Sequence, residues 1–184
     1  MVRRITGVLV VAAAAGCADA GSTQPEMLFA PAFSHEDGGA HGADLHFKAH
    51  LTGAEEAPNP VDTRAQGQVK FRLSKDGNSL HYKLIVANIR NVTQAHIHLG
   101  QRGAAGGVVV WLYPQCPKPA TCATRLIPGR SQGPLAQGTI TLADLRGALN
   151  TAEFSELIEN IRAGNAYANV HTTQNPPGEI RGQL

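Results

Sequence analysis

From Leu45 onward, apolar and polar residues alternate through a series of short segments punctuated by Gly, Asn, Asp and Pro: "LHFKAHLTG", "QGQVKFRLS", "SLHYKLIVAN", "VTQAHIHLG", "GGVVVWLYP", "AQGTITL", "AYANVHT" and "GEIRGQL". A period of two sends successive side chains to opposite faces of an extended chain, so each segment reads as a strand with one core face and one outer face. About eight such strands predict an all-β fold, an antiparallel sandwich or barrel. "KDGN" at 75–78 supplies the positive-φ residues of a hairpin turn. One helix interrupts the pattern near the C-terminus: Asn150 is the expected cap with Glu153 at the third helical position. Phe154, Leu157, Ile158 and Ile161 form its apolar stripe, and Gly164 is its stop. A shorter turn is expected around "TLADLRGAL".

Composition sets the scale and removes several functions. The 184 residues are 42% hydrophobic and 16% charged, which suits one globular domain over 45–184 behind a polar tail. With a formal net charge of +2 and no run of Lys and Arg beside exposed aromatics, nucleic acid is an unexpected partner. No Gly-x-Ser-x-Gly elbow supports a hydrolase. "GQRGAAGG" lacks the Lys-Ser/Thr of a phosphate loop and opens no helix, so its glycines suit a turn.

Residues 1–16 read as an export signal, with Arg3 and Arg4 ahead of an apolar run from Ile5 to Ala15 that is too short to span a bilayer. Its end, Ala14-Ala15-Gly16-Cys17, resembles the bacterial lipoprotein box, with Ala14 where Leu is usual. On that reading Cys17 is lipidated and tethers the chain to a membrane; the alternative is ordinary secretion. Residues 17–44 read as a flexible tether whose His35 and His41 are solvated. Of the three cysteines, committing Cys17 to lipid leaves Cys116 and Cys122, in the Pro-rich "YPQCPKPATCATR", to pair as a disulfide.

Alternation also sorts the histidines. In "AHIHL", Ala95, Ile97 and Leu99 share the core face and His96 and His98 share the other, which points both imidazoles away from the core. In "AYANVHT" the non-core face carries Tyr167, Asn169 and His171, and His46, His50 and His81 likewise fall opposite apolar neighbours. Two imidazoles spaced by two on one strand face suit chelation of one ion, and neutral imidazole is a good ligand for copper and zinc.

The pieces "FKAHLTGAEEAPNP", "GQVKFRLSKDGNSLHYKLIVANI", "AHIHLG", "GGVVVWL" and "AGNAYANVHTTQNPPGEIRGQL" resemble the CHRD domain, a module named after chordin and found in bacterial secreted proteins. The resemblance runs from about Leu45 to Leu184. It implies an exported immunoglobulin-like β-sandwich with His96, His98 and His171 on its recurrent histidine positions. The sandwich and its His-x-His strand are in turn similar to Cu/Zn superoxide dismutase, which implies copper, with zinc as the alternative metal. No zinc loop with a bridging histidine matches here, so any dismutase of this kind is copper-only.

Three functions follow as expectations. The first is a copper site of His96, His98 and His171 with a fourth ligand from His81, His50 or His46, turning over superoxide drawn in by Arg181; for Glu179, the competing reading is a structural pair with Arg181. The second is a non-catalytic envelope module with a protein partner of unknown kind. The third is copper sequestration without turnover. Copper affinity is expected to fall as pH drops through the imidazole range near 6.5.

Overall fold

The computed structural model describes residues 45–184, which lie within one compact unit. The export signal, Cys17, the tether, His35 and His41 fall outside the described residues. Seven strands form one antiparallel sheet: β1 (His46–Thr52), β2 (Gln66–Leu73), β3 (Leu80–Leu99), β4 (Val108–Tyr113), β5 (Ile127–Ile140), β6 (Ala166–Thr172) and β7 (Ile180–Gln183). The order β2-β1-β7-β6-β3-β4 is closed on itself by a β2–β3 pairing, and β5 adds to β3. The result is an all-β, sandwich-like fold with barrel-like closure.

Two of the expected strands are continuous. "SLHYKLIVAN" and "VTQAHIHLG" join in β3, whose first half pairs with β2 and β5 and whose second half pairs with β6 and β4. Asn88 and Asn91 sit between the halves at φ 58° and 52°. Asparagine tolerates this left-handed backbone better than most residues, so the chain absorbs register shifts there without leaving the sheet. β5 likewise reaches back to Ile127, drawing part of the insert after Cys122 into the sheet.

One helix, α1 (Phe154–Arg162), buries Phe154, Leu157, Ile158 and Ile161 against the core. Each such burial contributes about 1.5–3 kcal/mol relative to exposure. Glu153, not Asn150, stands at the cap position, because two 3-10 turns (Leu142–Asp144 and Gly147–Leu149) use up the preceding chain. The first of these is closed by Thr141 and Asp144, whose side chains and backbones satisfy each other as a capping box. The sulfurs of Cys116 and Cys122 lie at disulfide distance, and Arg146 donates to the Cys116 carbonyl beside them.

Candidate metal centre

The second half of β3 and its neighbour β6 carry a row of polar side chains on the side away from the main core. Cross-strand register sets Trp111, His96, Asn169 and Arg181 in line across β4, β3, β6 and β7, with His98, Tyr167 and Gln183 in the next row and His171 opposite Gln94. His96, His98 and His171 offer ligand atoms that all lie within 4.8 Å of one another.

The expectation that these imidazoles point outward needs correction. They do leave the main core, but His96, His98 and His171 are only 2%, 7% and 5% exposed. Two loops and the aromatic neighbours cover them. Trp111 packs edge-on against His96 at 4.4 Å between ring centres, and Tyr167 stacks on His98 at 4.8 Å. β6 is consequently buried on both faces.

Backbone carbonyls from those loops fix the ring tautomers. The Nδ1–H of His98 donates to the Gly106 carbonyl at 2.8 Å, and the Nδ1–H of His171 donates to the Pro176 carbonyl at 2.8 Å. Each ring thus carries its lone pair on Nε2, the usual outer-shell arrangement of a ligating histidine. His96 Nδ1 lies 3.1 Å from His171 Nε2, so with His171 already donating from Nδ1 it is His96 that donates. The Asn169 amide lies 3.0 Å from that same Nε2. The Nε2 atoms of His96 and His98 are buried without any hydrogen-bond partner. A buried, unsatisfied acceptor costs about 1–3 kcal/mol, and a cation bound at such a nitrogen would remove that cost.

Burial also keeps the rings neutral. It pushes His96 down to about 2, helped by His171 and His98 nearby. His171 is pushed down to about 4 by burial, against the opposing hydrogen bond to Pro176. His98 is lowered by burial as well, with the Gly106 carbonyl and Asn169 opposing and the Arg181 charge reinforcing. Three neutral imidazoles in a dry site are the donor set that copper and zinc prefer, and the residues fit such an ion.

The loop cover has a sequence basis in "GQRGAAGG". A Cβ on Gly106 would lie 1.5 Å from the Leu99 carbonyl oxygen, so only glycine lets the loop close on the strand. Beneath it, Arg181 donates to the carbonyls of Ala104 (2.9 Å) and Gln101 (3.0 Å), and Gln183 donates to Gly100. The Tyr167 hydroxyl accepts from Gly106 N–H at 3.0 Å.

These contacts change the place of two expected site residues. Arg181 is 1% exposed, with its guanidinium 3.4 Å over the Tyr167 ring, so it holds the loop and does not stand where it could draw an anion from solvent. Glu179 does not pair with it. Its carboxylate accepts from Thr63, Thr172 and Gln174. The acid beside Arg181 is the buried Glu56, which burial raises to about 7 against the pull of that charge. No sequence signal marked Glu56, Tyr167 or Trp111 for these roles.

His81 is not brought to the cluster either. It lies on the first half of β3, exposed, with Nδ1 2.9 Å from Thr139 Oγ1. His46 and His50 stand on β1 opposite Arg72 and Gln68. Among the described residues the group holds three histidines and no fourth His, Cys, Asp or Glu.

A family model described as CHRD domain matches residues 47–184. The chain belongs to the CHRD domain family. No curated protein matches the chain, and no solved structure does. In this CHRD domain the three clustered histidines lie within the matched span.

Proposed function

We propose that this CHRD domain is an exported copper-binding protein whose ion is held by His96, His98 and His171. The observation that carries the reading is the pair of buried, partnerless Nε2 atoms in a group of three neutral imidazoles. Copper is preferred over zinc because it stands at the top of the divalent affinity order and imidazole suits it. Bound copper would supply one-electron chemistry between Cu(II) and Cu(I), which superoxide turnover needs.

The chain's own contribution is positional. Gly106 and Pro176 orient two rings by their carbonyls, Tyr167 and Trp111 exclude water, and Arg181 clamps the covering loop. Three protein ligands would leave a bound ion with a further coordination position, the feature that favours turnover as a second reading over sequestration. Cys17 is the proposed lipid anchor that keeps the domain at the cell envelope.

Metal analysis together with melting curves tests the copper reading. The purified chain should retain about one copper per molecule, and Cu(II) should raise its melting temperature while Mg(II) does not. A chain that takes up no copper and shows no shift would overturn it. A superoxide assay on loaded protein then separates turnover from storage.

A further inference from the structure

Positive charge that is dispersed in the sequence is gathered by the sheet onto the outer face of β1, β2 and the first half of β3. Lys48 stands directly opposite Lys70, and Lys70 opposite Lys83; the adjoining row is His46, Arg72 and His81. All six side chains are exposed. Strand spacing sets neighbours in such a row about 4.8 Å apart, and like charges directly opposed destabilise a sheet. β1, β2, β3 and β5 contain no Asp or Glu. The side chains of Lys48, Lys70, Arg72 and Lys83 make no ion pair or hydrogen bond among the described residues. A depression of about 260 Å³ lies among His46, Lys70, Arg72, His81 and Lys83.

A lysine row that works against the fold and has no counter-ion among the described residues suits an external anion. We propose that this face docks the domain on a membrane carrying anionic phospholipids, with lipid phosphates meeting Lys48, Lys70, Lys83 and Arg72. Lysine is a compact, hydrated point charge suited to a diffuse anionic surface. Single-stranded nucleic acid calls for exposed aromatic platforms, and here Phe47, Phe71 and Tyr82 pack on the core side. The next row, His50, Gln68 and Ile85, holds no Lys or Arg, so the patch is compact and matches a headgroup cluster better than a long polyanion.

The choice of a membrane rests on the proposed anchor at Cys17. Roughly 30 residues separate it from His46, so a lipid at Cys17 would keep the domain within one tether's length of a bilayer.

The test compares partition of the full chain on phosphatidylcholine vesicles with partition on vesicles that also contain phosphatidylglycerol. An acyl anchor holds the chain equally on both, so failure of the Cys17 reading lowers both values and leaves their ratio, which reports the face alone. The ratio should favour the anionic vesicles by about fivefold per contributing lysine at low salt and collapse toward one in 0.5 M NaCl. The triple variant Lys48→Glu, Lys70→Glu, Lys83→Glu should abolish the preference. Lys70→Glu alone places a carboxylate between two ammonium groups, so its melting temperature should hold or rise while its preference falls, which separates docking from folding. A ratio of one for the native chain, or an unchanged ratio in the triple variant, overturns the proposal. So does retention on heparin or duplex DNA without any vesicle preference.

Discussion

His81 and His96 lie on one strand, yet the first is exposed beside Thr139 and the second is 2% exposed beside another histidine. The strand itself treats them alike, since both lie off the main core. What differs is the cover. Over the first half of β3 the outer face meets only other strand side chains, whereas over the second half the loops around Gly106 and Pro176 fold down and bond to the rings. Alternation decides a side chain's face; loops decide whether that face is surface or site.

The largest expected effect breaks the buried half alone. With Cu(II) at about 100 times its Kd, binding stabilises the native protein by ~2.7 kcal/mol, and a domain of this size gains roughly 5–10 °C in melting temperature. His96→Ala, His98→Ala and His171→Ala should each abolish most of that rise, and His81→Ala should leave it intact. Calorimetry with and without copper checks this. An equal loss in His81→Ala would mean the two halves are not distinct.

The cover itself comes next. Gly106→Ala must push the loop off the Leu99 carbonyl, releasing the bond that orients His98, and should cost about 2 kcal/mol in the metal-free protein. Gly103→Ala lies in the same loop at φ +79° with open space around it, so it should cost only about 1 kcal/mol. Urea denaturation of the two variants gives the comparison directly. Similar costs would show that the close approach at Gly106 does not matter.

These contrasts also explain what could be read from the chain. The faces of His96, His98 and His171 were legible because a period of two is local. Their burial was not, because it depends on Pro176 and Gly106 carbonyls delivered by loops whose path no periodicity encodes. Arg181 hides its role for the same reason: an arginine in "GEIRG" looks solvent-ready until the loop carbonyls it serves are placed above it. The lysine row was invisible because Lys48, Lys70 and Lys83 come from three strands and meet only through register. β3 reads from sequence as two strands because asparagines at positive φ look like turn residues even where the strand runs on.

Burial of the cluster revises the expected pH response. Unfolded histidine titrates near 6.5, whereas in the folded chain His171 is pushed down to about 4 and His96 to about 2. Between those limits the unfolded state binds protons that the native state refuses, so stability falls as pH falls. The contribution is fully present above 6.5 and is progressively lost toward pH 4 and below. Glu56, raised to about 7, works the other way over the same range, but three lowered histidines outweigh one carboxyl. Metal-free protein should therefore show a melting temperature that declines from pH 6.5 to 4, with a flatter slope in His171→Ala. Proton competition for copper in the folded state moves down with the same shift, so copper should be held below pH 6.5. A flat melting profile across this range would mean the rings are wet.

The smallest effect separates ring from hydroxyl at Tyr167. Its ring is sandwiched between His98, stacked at 4.8 Å with planes 7° apart, and the Arg181 guanidinium at 3.4 Å on the other side. Its hydroxyl does a different task, accepting the Gly106 N–H at 3.0 Å. Tyr167→Phe keeps the sandwich and leaves one loop N–H without its partner, at a cost of about 1 kcal/mol, or roughly 2–4 °C in melting temperature. The copper-induced rise should survive, because the His98 ring stays stacked and its Nδ1 bond to the Gly106 carbonyl is untouched. If Tyr167→Phe instead loses copper as completely as His98→Ala, then the loop's hold on Gly106, and not the strand and its stacked ring, is what positions the imidazole.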